Sequence, residues 1–272
     1  MQYDFNNEEG GLFMIALITP TGARPDQFNL CQEWMRRQIY QGKVIWIIID
    51  DALPISTNNV NENFRQNWTV IKIYPKPTWI RGQNTQSRNI EAGINYLETN
   101  CKDIEAIFII EDDDYYKPQY LERMTARFGS VKVLGEINSV YYNVFYRNYF
   151  INRNTSHSSL FQIAFKPEMI TLFRSCLNHR FIDFNFYEKL HRQLFVSNGE
   201  VGFFNESNLA MGMKGMPGRA GIGAGHTRLM NMLPDPQMSY LRSQIQDDAK
   251  YYEGYYGHRS FAQHDILTKR RR

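Results

Sequence analysis

Four short apolar runs, separated by helix-like stretches, constrain this chain more than any other feature. They are Leu12–Thr19, Val44–Ile49, Val70–Tyr74 and Ala106–Ile110. Runs this short and this uniformly apolar read as strands buried on both faces. Asp26 is placed to cap a helix whose apolar positions are Phe28, Cys31, Met35 and Ile39. Ser87–Thr99 reads as a helix with Ile90, Ile94 and Leu97 on one face. After the fourth run, Lys117–Phe128 reads as a helix with Leu121, Met124 and Phe128 inward, and Val131–Leu134 as a further strand. Such alternation predicts an α/β fold with a mostly parallel sheet and helices on both faces. Ligands of such sheets bind beyond the carboxyl ends of the strands. Those ends carry Thr19-Pro20-Thr21, Asp50-Asp51 and Glu111-Asp112-Asp113-Asp114, so polar chemistry gathers on one rim.

The second half is patterned differently. Residues 138–165 are rich in tyrosine and phenylalanine and read as antiparallel strands. Helices are expected near 167–177 and 183–195, a glycine-rich loop over 211–226, and a helical stretch near 237–252. The 272 residues suit one large domain or one domain with an appendage, and their 43% hydrophobic content excludes a disordered chain. A net charge of +3 does not announce a nucleic-acid binder, so any basic surface must be local. Cys31, Cys101 and Cys176 are far apart and in no C-x-x-C spacing, which argues against a disulfide framework and fits a cytoplasmic setting. Met1–Gly11 does not match a signal peptide, and no apolar run approaches the ~18 residues of a membrane span.

The acidic turn carries the first chemistry. Four adjacent carboxylates repel one another unless something cationic lies between them. A solvated turn would answer the pattern; so would a hard divalent cation shared with phosphate, the use that its place after a buried strand favours. Ile109-Ile110-Glu111-Asp112-Asp113-Asp114, followed by Pro118 and Leu121, resembles the metal-binding D-x-D segment of GT-A-fold glycosyltransferases. Ile15–Thr21 resembles the first strand and donor loop of that family. Trp46–Asp51 resembles its second strand, and Arg81–Asn89 the Arg-Asn segment that opens a helix beside the nucleotide. The resemblance covers residues 12–130 well and 160–226 more loosely.

It implies a GT-A-like, Rossmann-type sheet with a smaller antiparallel acceptor-side region and a helical C-terminal tail. A catalytic unit would cover 1–234, with its nucleotide-sugar half in 12–130 and its acceptor half in 131–234, ahead of an extension over 235–272. The implied metal, Mn²⁺ or Mg²⁺, would be held by Glu111 and Asp113. Glu111 stands where the family usually has Asp. His226, at the end of the glycine-rich loop, would complete the metal site; the alternative is an ordinary loop histidine. The nucleotide sugar, with uridine diphosphate favoured, would lie among Thr19, Thr21, Arg24, Asp50, Asp51, Arg81, Arg88, Asp112, Lys214 and Arg219. Glycine-rich backbone and the charges of Lys214, Arg219 and Arg228 suit phosphate.

Phe181-Ile182-Asp183-Phe184-Asn185 resembles the segment that carries the base of inverting members, with Ile182 and Asn185 departing from the family pattern. Asp183 would take the acceptor's proton, helped by aromatic neighbours that raise its pKa; it is equally placed to cap a helix. Glu188 is the fallback base. The Lys-Gly-Met-Pro-Gly-Arg loop and the chain's size also resemble phage-encoded transferases that sugar-modify hydroxymethylated pyrimidines in DNA. The basic end Lys269–Arg272, with aromatic residues before it, suits nucleic acid, or else a solubilising tail. A glycan or protein acceptor, a nucleotidyltransferase and a non-catalytic DNA-binding module are the competing readings. The first strand is followed by only a poor version of the loop that a nucleotidyltransferase needs.

Overall fold

The computed structural model describes residues 14–52, 57, 60, 64–206, 209–219 and 231–257. In chain order the first half comprises β1 (Ile15–Thr21), α1 (Pro25–Arg36), β2 (Val44–Asp50), β3 (Trp68–Ile73), α2 (Gln86–Asn100), β4 (Ala106–Ile109), the short β5 (Tyr115–Tyr116) and α3 (Tyr120–Thr125). The second half adds β6 (Val133–Glu136), β7 (Val140–Asn143), β8 (Asn148–Ile151), β9 (Ile163–Phe165), α4 (Ile170–Arg174), α5 (Ile182–Arg192), β10 (Val201–Phe204), β11 (Ala210–Lys214), β12 (Leu233–Pro234) and α6 (Ser239–Ile245).

The main sheet runs β10-β6-β9-β4-β1-β2-β3. β1 pairs in parallel with β2 and β4, and β2 with β3. Because side chains alternate across a strand, β1 feeds two cores. Ile15 and Leu17 join Trp46, Ile48 and the Phe28, Cys31, Trp34 and Met35 face of α1. Ala16 and Ile18 join Ile47, Ile49 and the Ile90, Ile94 and Leu97 face of α2, with α4 and α5 on the same side. This double burial is why the strands read as unbroken apolar runs. Among the described residues no helix is long and apolar enough to cross a membrane.

Several local expectations need correction. α1 ends at Arg36, so Ile39 lies beyond it and is exposed. Asp26 lies inside the first turn of α1 rather than capping it, because Pro25 already opens the helix and Arg24 takes the cap position. α3 begins only at Tyr120, since the Lys117 amide donates to the Leu209 carbonyl at 2.9 Å instead of entering a helix. The aromatic segment splits: β7 and β8 form an antiparallel hairpin, while β9 leaves it and enters the main sheet antiparallel to both β4 and β6. The second sheet, β12-β8-β7-β11-β5, is antiparallel except where β11 runs parallel to β7. The helical stretch near the C-terminus is α6 followed by a 3-10 segment, Gln246–Tyr255, with the break at Gln246, which has a positive φ of 51°.

Residues 235–257 pack into the core that contains α1. Leu241, Ile245, Ala249 and Tyr252 are buried there. The Trp34 ring meets Tyr251 edge-on at 5.4 Å and stacks on Tyr252 at 6.3 Å. Arg37 and the Tyr115 hydroxyl both reach Asp248, at 2.6 and 2.9 Å.

Candidate active site

The carboxyl ends of β1, β2 and β4 bring three groups of residues to one rim. The turn Glu111–Asp114 follows β4 after Ile110 and is folded under by β5, which hydrogen-bonds to β11. The same pairing carries Lys214, at the end of β11, beneath the turn. Its Nζ lies 2.7 Å from Asp114 Oδ1 and 3.4 Å from Asp113 Oδ2, and the side chain is 5% exposed. The Met213 amide donates to the same Asp114 oxygen at 2.9 Å. From the loop after β1, Arg24 Nη1 donates to Asp112 Oδ1 at 2.6 Å and lies 3.6 Å from Asp113 Oδ1. Thr21 Oγ1 donates to Asp112 Oδ2 at 2.7 Å. Gln86 donates to Glu111.

Charge in this turn is out of balance. Among the described residues, four carboxylates face two cations, Arg24 and Lys214. Burial, reinforced by Asp113 and Asp183, pushes Glu111 up to about 7 even though Lys214 and Arg24 oppose it. Burial also raises Asp112, against Arg24, and raises Asp114 well above the usual carboxylate range, against Lys214. Lys214 itself is pulled down by burial but raised overall by Asp113, Asp114 and Glu111. Buried acids in surplus lower their cost by holding protons or by gaining a cation. Among the described residues, the Asp114 Oδ2 oxygen is buried without a hydrogen-bond partner, while Oδ1 takes both Lys214 and the Met213 amide. An all-oxygen donor set with surplus negative charge fits Mn²⁺ or Mg²⁺. Among the described residues, no three His, Cys, Asp or Glu converge to hold a metal by themselves. Glu111 and Asp113 would supply part of a coordination shell, leaving positions for phosphate oxygens.

A second network lies at the end of β2. Asp51 is fully buried and accepts from Arg88 Nη2 at 3.0 Å, from Arg219 Nη1 at 2.9 Å and from the Thr85 hydroxyl. Arg219 Nη2 also donates to Thr85 Oγ1 at 2.6 Å, and the guanidinium lies 4.9 Å from the centre of the Trp79 ring. Burial lowers Arg219, as does neighbouring Arg24, while Asp51 opposes. Gly22, at φ 148°, packs so closely here that a Cβ would strike the Asp51 carboxylate. Asp50 turns away from these arginines. It accepts from the Ala52 amide and the Thr57 hydroxyl, both at 3.3 Å, and burial raises it to about 6. Thr19 is fully buried, and its hydroxyl accepts the Trp46 indole proton at 2.9 Å, so its side chain works inside the sheet. Arg81 lies exposed on the turn ahead of α2.

Asp183 is half-buried in the first turn of α5, close enough for its charge to raise Glu111 and Tyr141. Burial raises its own pKa, although it accepts from the Phe184 and Leu160 amides and faces His157. Asp183 is not the helix cap: Phe181 takes that position. Beside Asp183, Phe181 and Phe184 are 47% and 56% exposed, Arg180 lies 5.3 Å from the Phe181 ring centre, and His157 meets Phe184 edge-on. Glu188 instead pairs with Arg192 on the exposed side of α5, at 2.6 Å.

The fold thus gathers Thr21, Arg24, Asp51, Arg88, Glu111, Asp112, Asp113, Lys214, Arg219 and Asp183 on one rim. His226, Arg228, the end of the glycine-rich loop from residue 220, and the basic end from residue 258 lie outside the described residues. Trp79, Thr85 and Gln86 were not singled out from the sequence. Trp79 had a signal of its own, an aromatic residue in a polar loop between Pro77 and Gly82.

No family model matches this sequence, and no curated protein matches it. Among solved structures, one of S. aureus TarS aligns with 74% of this chain and 36% of its own, at 10% identity and a TM-score of 0.50. Another, of S. aureus TarS 1–349, aligns with 64% of this chain and 55% of its own, at 12% identity and a TM-score of 0.46. The chain therefore spans about a third of the first and just over half of the second. The likeness to the first is one of fold, and this chain carries the GT-A-like α/β arrangement expected from its strands and helices.

Proposed function

We propose that this chain is a metal-dependent, inverting glycosyltransferase that moves a sugar from a nucleoside-diphosphate sugar to an acceptor hydroxyl. The observation that carries the reading is the convergence of the acidic turn, the Asp51 arginine network and Asp183 on one sheet rim. The fold likeness to TarS, itself a glycosyltransferase, supports it.

Each group has a distinct task. Asp51 holds Arg88 and Arg219 in place, and with Trp79 they frame the nucleoside side. Arg24, Lys214 and Arg219 offer charge to the diphosphate. Glu111 and Asp113 would hold Mn²⁺ or Mg²⁺, which when bound supplies charge neutralisation for the departing diphosphate. Asp183 takes the proton of the acceptor hydroxyl as its oxygen attacks the anomeric carbon. The bond from that carbon to the diphosphate breaks, and the diphosphate leaves with the electron pair. Attack from the side opposite the leaving group inverts the centre. The raised Asp183 pKa suits a base that must accept a proton near neutral pH.

The acceptor we favour is a hydroxymethylated pyrimidine in DNA. Exposed Phe181 and Phe184 flank the base with Arg180 beside them, and rings with a cation suit an unstacked nucleobase and its phosphate. A thermal-shift panel of nucleoside diphosphates, each with and without Mn²⁺, tests the donor side. Uridine diphosphate with Mn²⁺ should raise the melting temperature by mass action, and Asp113→Ala should lose the shift. No shift with any nucleotide would sink the transferase reading. Labelled sugar entering hydroxymethylated DNA but not glycans would establish the acceptor; the reverse result would replace it.

A further inference from the structure

We propose that Lys214 is an internal counter-cation that keeps a divalent ion off Asp113 until the donor diphosphate arrives. The inference rests on the nucleotide-sugar reading above and assigns the order in which that site fills.

Both carboxylate oxygens of Asp113 already face positive charge: Oδ2 lies 3.4 Å from Lys214 Nζ, and Oδ1 lies 3.6 Å from Arg24 Nη1. Lys214 is 5% exposed and Arg24 13%, so water screens neither strongly. A divalent ion bound to Asp113 in the free protein would lie within a few ångströms of two cations. A diphosphate changes the balance, because its oxygens give the ammonium and the guanidinium new partners. Lys214 is suited to this exchange. Its ammonium is a point charge on a flexible stem, and it is tied at 2.7 Å to Asp114, which retains it whether or not Asp113 is released. Arg24 is held more rigidly, with Nη1 on Asp112 and Nε on the Arg219 carbonyl, both at 2.6 Å. Lys214 is therefore the cation free to shift and Arg24 the fixed one.

The test is Mn²⁺ binding followed by electron paramagnetic resonance, with no sugar transfer involved. The free ion gives a sharp signal that is lost on binding. Mn²⁺ is titrated into the unsubstituted protein with and without uridine diphosphate, and into Lys214→Met and Lys214→Arg alone. The unsubstituted protein should bind Mn²⁺ weakly alone and about tenfold or more tightly with uridine diphosphate present, beyond what the nucleotide binds by itself. Lys214→Met should bind Mn²⁺ without nucleotide about tenfold more tightly than the unsubstituted protein, because one repelling charge is gone. Lys214→Arg should behave like the unsubstituted protein. Equal Mn²⁺ affinity with and without the nucleotide overturns the proposal, as does a Lys214→Met protein no tighter than the original. If Lys214→Met fails to give a cooperative thermal melt, Lys214→Gln takes its place. If uridine diphosphate does not bind under any condition, the nucleotide reading falls, and the comparison of Lys214→Met with the original protein still decides whether Lys214 blocks the ion.

Discussion

Single residues decide the chemistry here because each is held by few, well-defined partners. Asp183 is the sharpest case. Its burial and its charge influence on Glu111 suit it to the proton removal proposed above, while Glu188, the other acid of α5, faces Arg192 in solvent. Asp183→Asn keeps the shape and removes the base. Its turnover should fall by about 10² to 10⁴, with nucleotide binding unchanged. In the unsubstituted protein, turnover should rise with pH through a midpoint above the usual carboxylate range, since Asp183 works only when deprotonated. A variant with full turnover would remove Asp183 from the mechanism. Much of this was legible in sequence: the acids, Arg24, Arg88 and Lys214 stand out by type and position. Their pairing was not. That Arg88 meets Asp51 and not Asp50 depends on which way two adjacent side chains point at a strand end. A one-dimensional pattern leaves that open.

Among the elements, the first-half strands match the expectation, but β10 was not expected. β11 makes Ala210–Lys214 a strand where a glycine-rich loop over 211–226 was expected, because pairing with β7 and β5 supplies partners that local composition does not show. β1, β2 and β4 are apolar on both faces, and their composition leaves them little alternative, whereas the edge strand β3 leaves Thr69 exposed and Ile71, Lys72 and Ile73 half-buried. β9 shows the opposite. Three residues long, it enters the main sheet only because β4 and β6 leave a gap between them that an antiparallel strand fills. α6 is a further case. It has seven residues and draws its stability from packing and from the Asp235 carboxylate, which accepts from the Tyr240 and Leu241 amides at 3.0 and 3.1 Å. Leu241 is fully buried in the core shared with α1. Leu241→Ala should cost about 2–5 kcal/mol, read from urea unfolding. A cost below about 1 kcal/mol would mean that α6 is not part of that core.

Across the molecule, burial raises several carboxyls at once. Asp50, Glu111 and Glu136 are raised by burial to about 6, about 7 and about 7. Glu136, at the end of β6, is 1% exposed and accepts from Gln162 Nε2 at 2.9 Å and from the Leu209 amide at 3.2 Å. A carboxyl raised in the folded state binds a proton there that the unfolded chain has already released. Its contribution is fully present below the unfolded pKa near 4, and it is lost as pH rises through 6 to 7. These groups should therefore lower stability between pH 5 and pH 8. Glu136→Gln removes one of them and should flatten that fall by on the order of a few kcal/mol, read from denaturant melts at both pH values. An unchanged slope would mean that Glu136 is ionised in the fold throughout.

The α/β alternation, the two-faced burial of the central strands and the rim on which polar residues collect are all written into the order of residues. Each of these follows from local apolar patterning, which acts over a few residues. How the charges are shared emerges in the folded chain. Lys214 lies about 100 positions from the acids it neutralises, 101 from Asp113 and 100 from Asp114, and Arg219 lies 168 positions from Asp51. Charge pairing depends on distance and burial in the folded chain, and neither is a property of spacing along it.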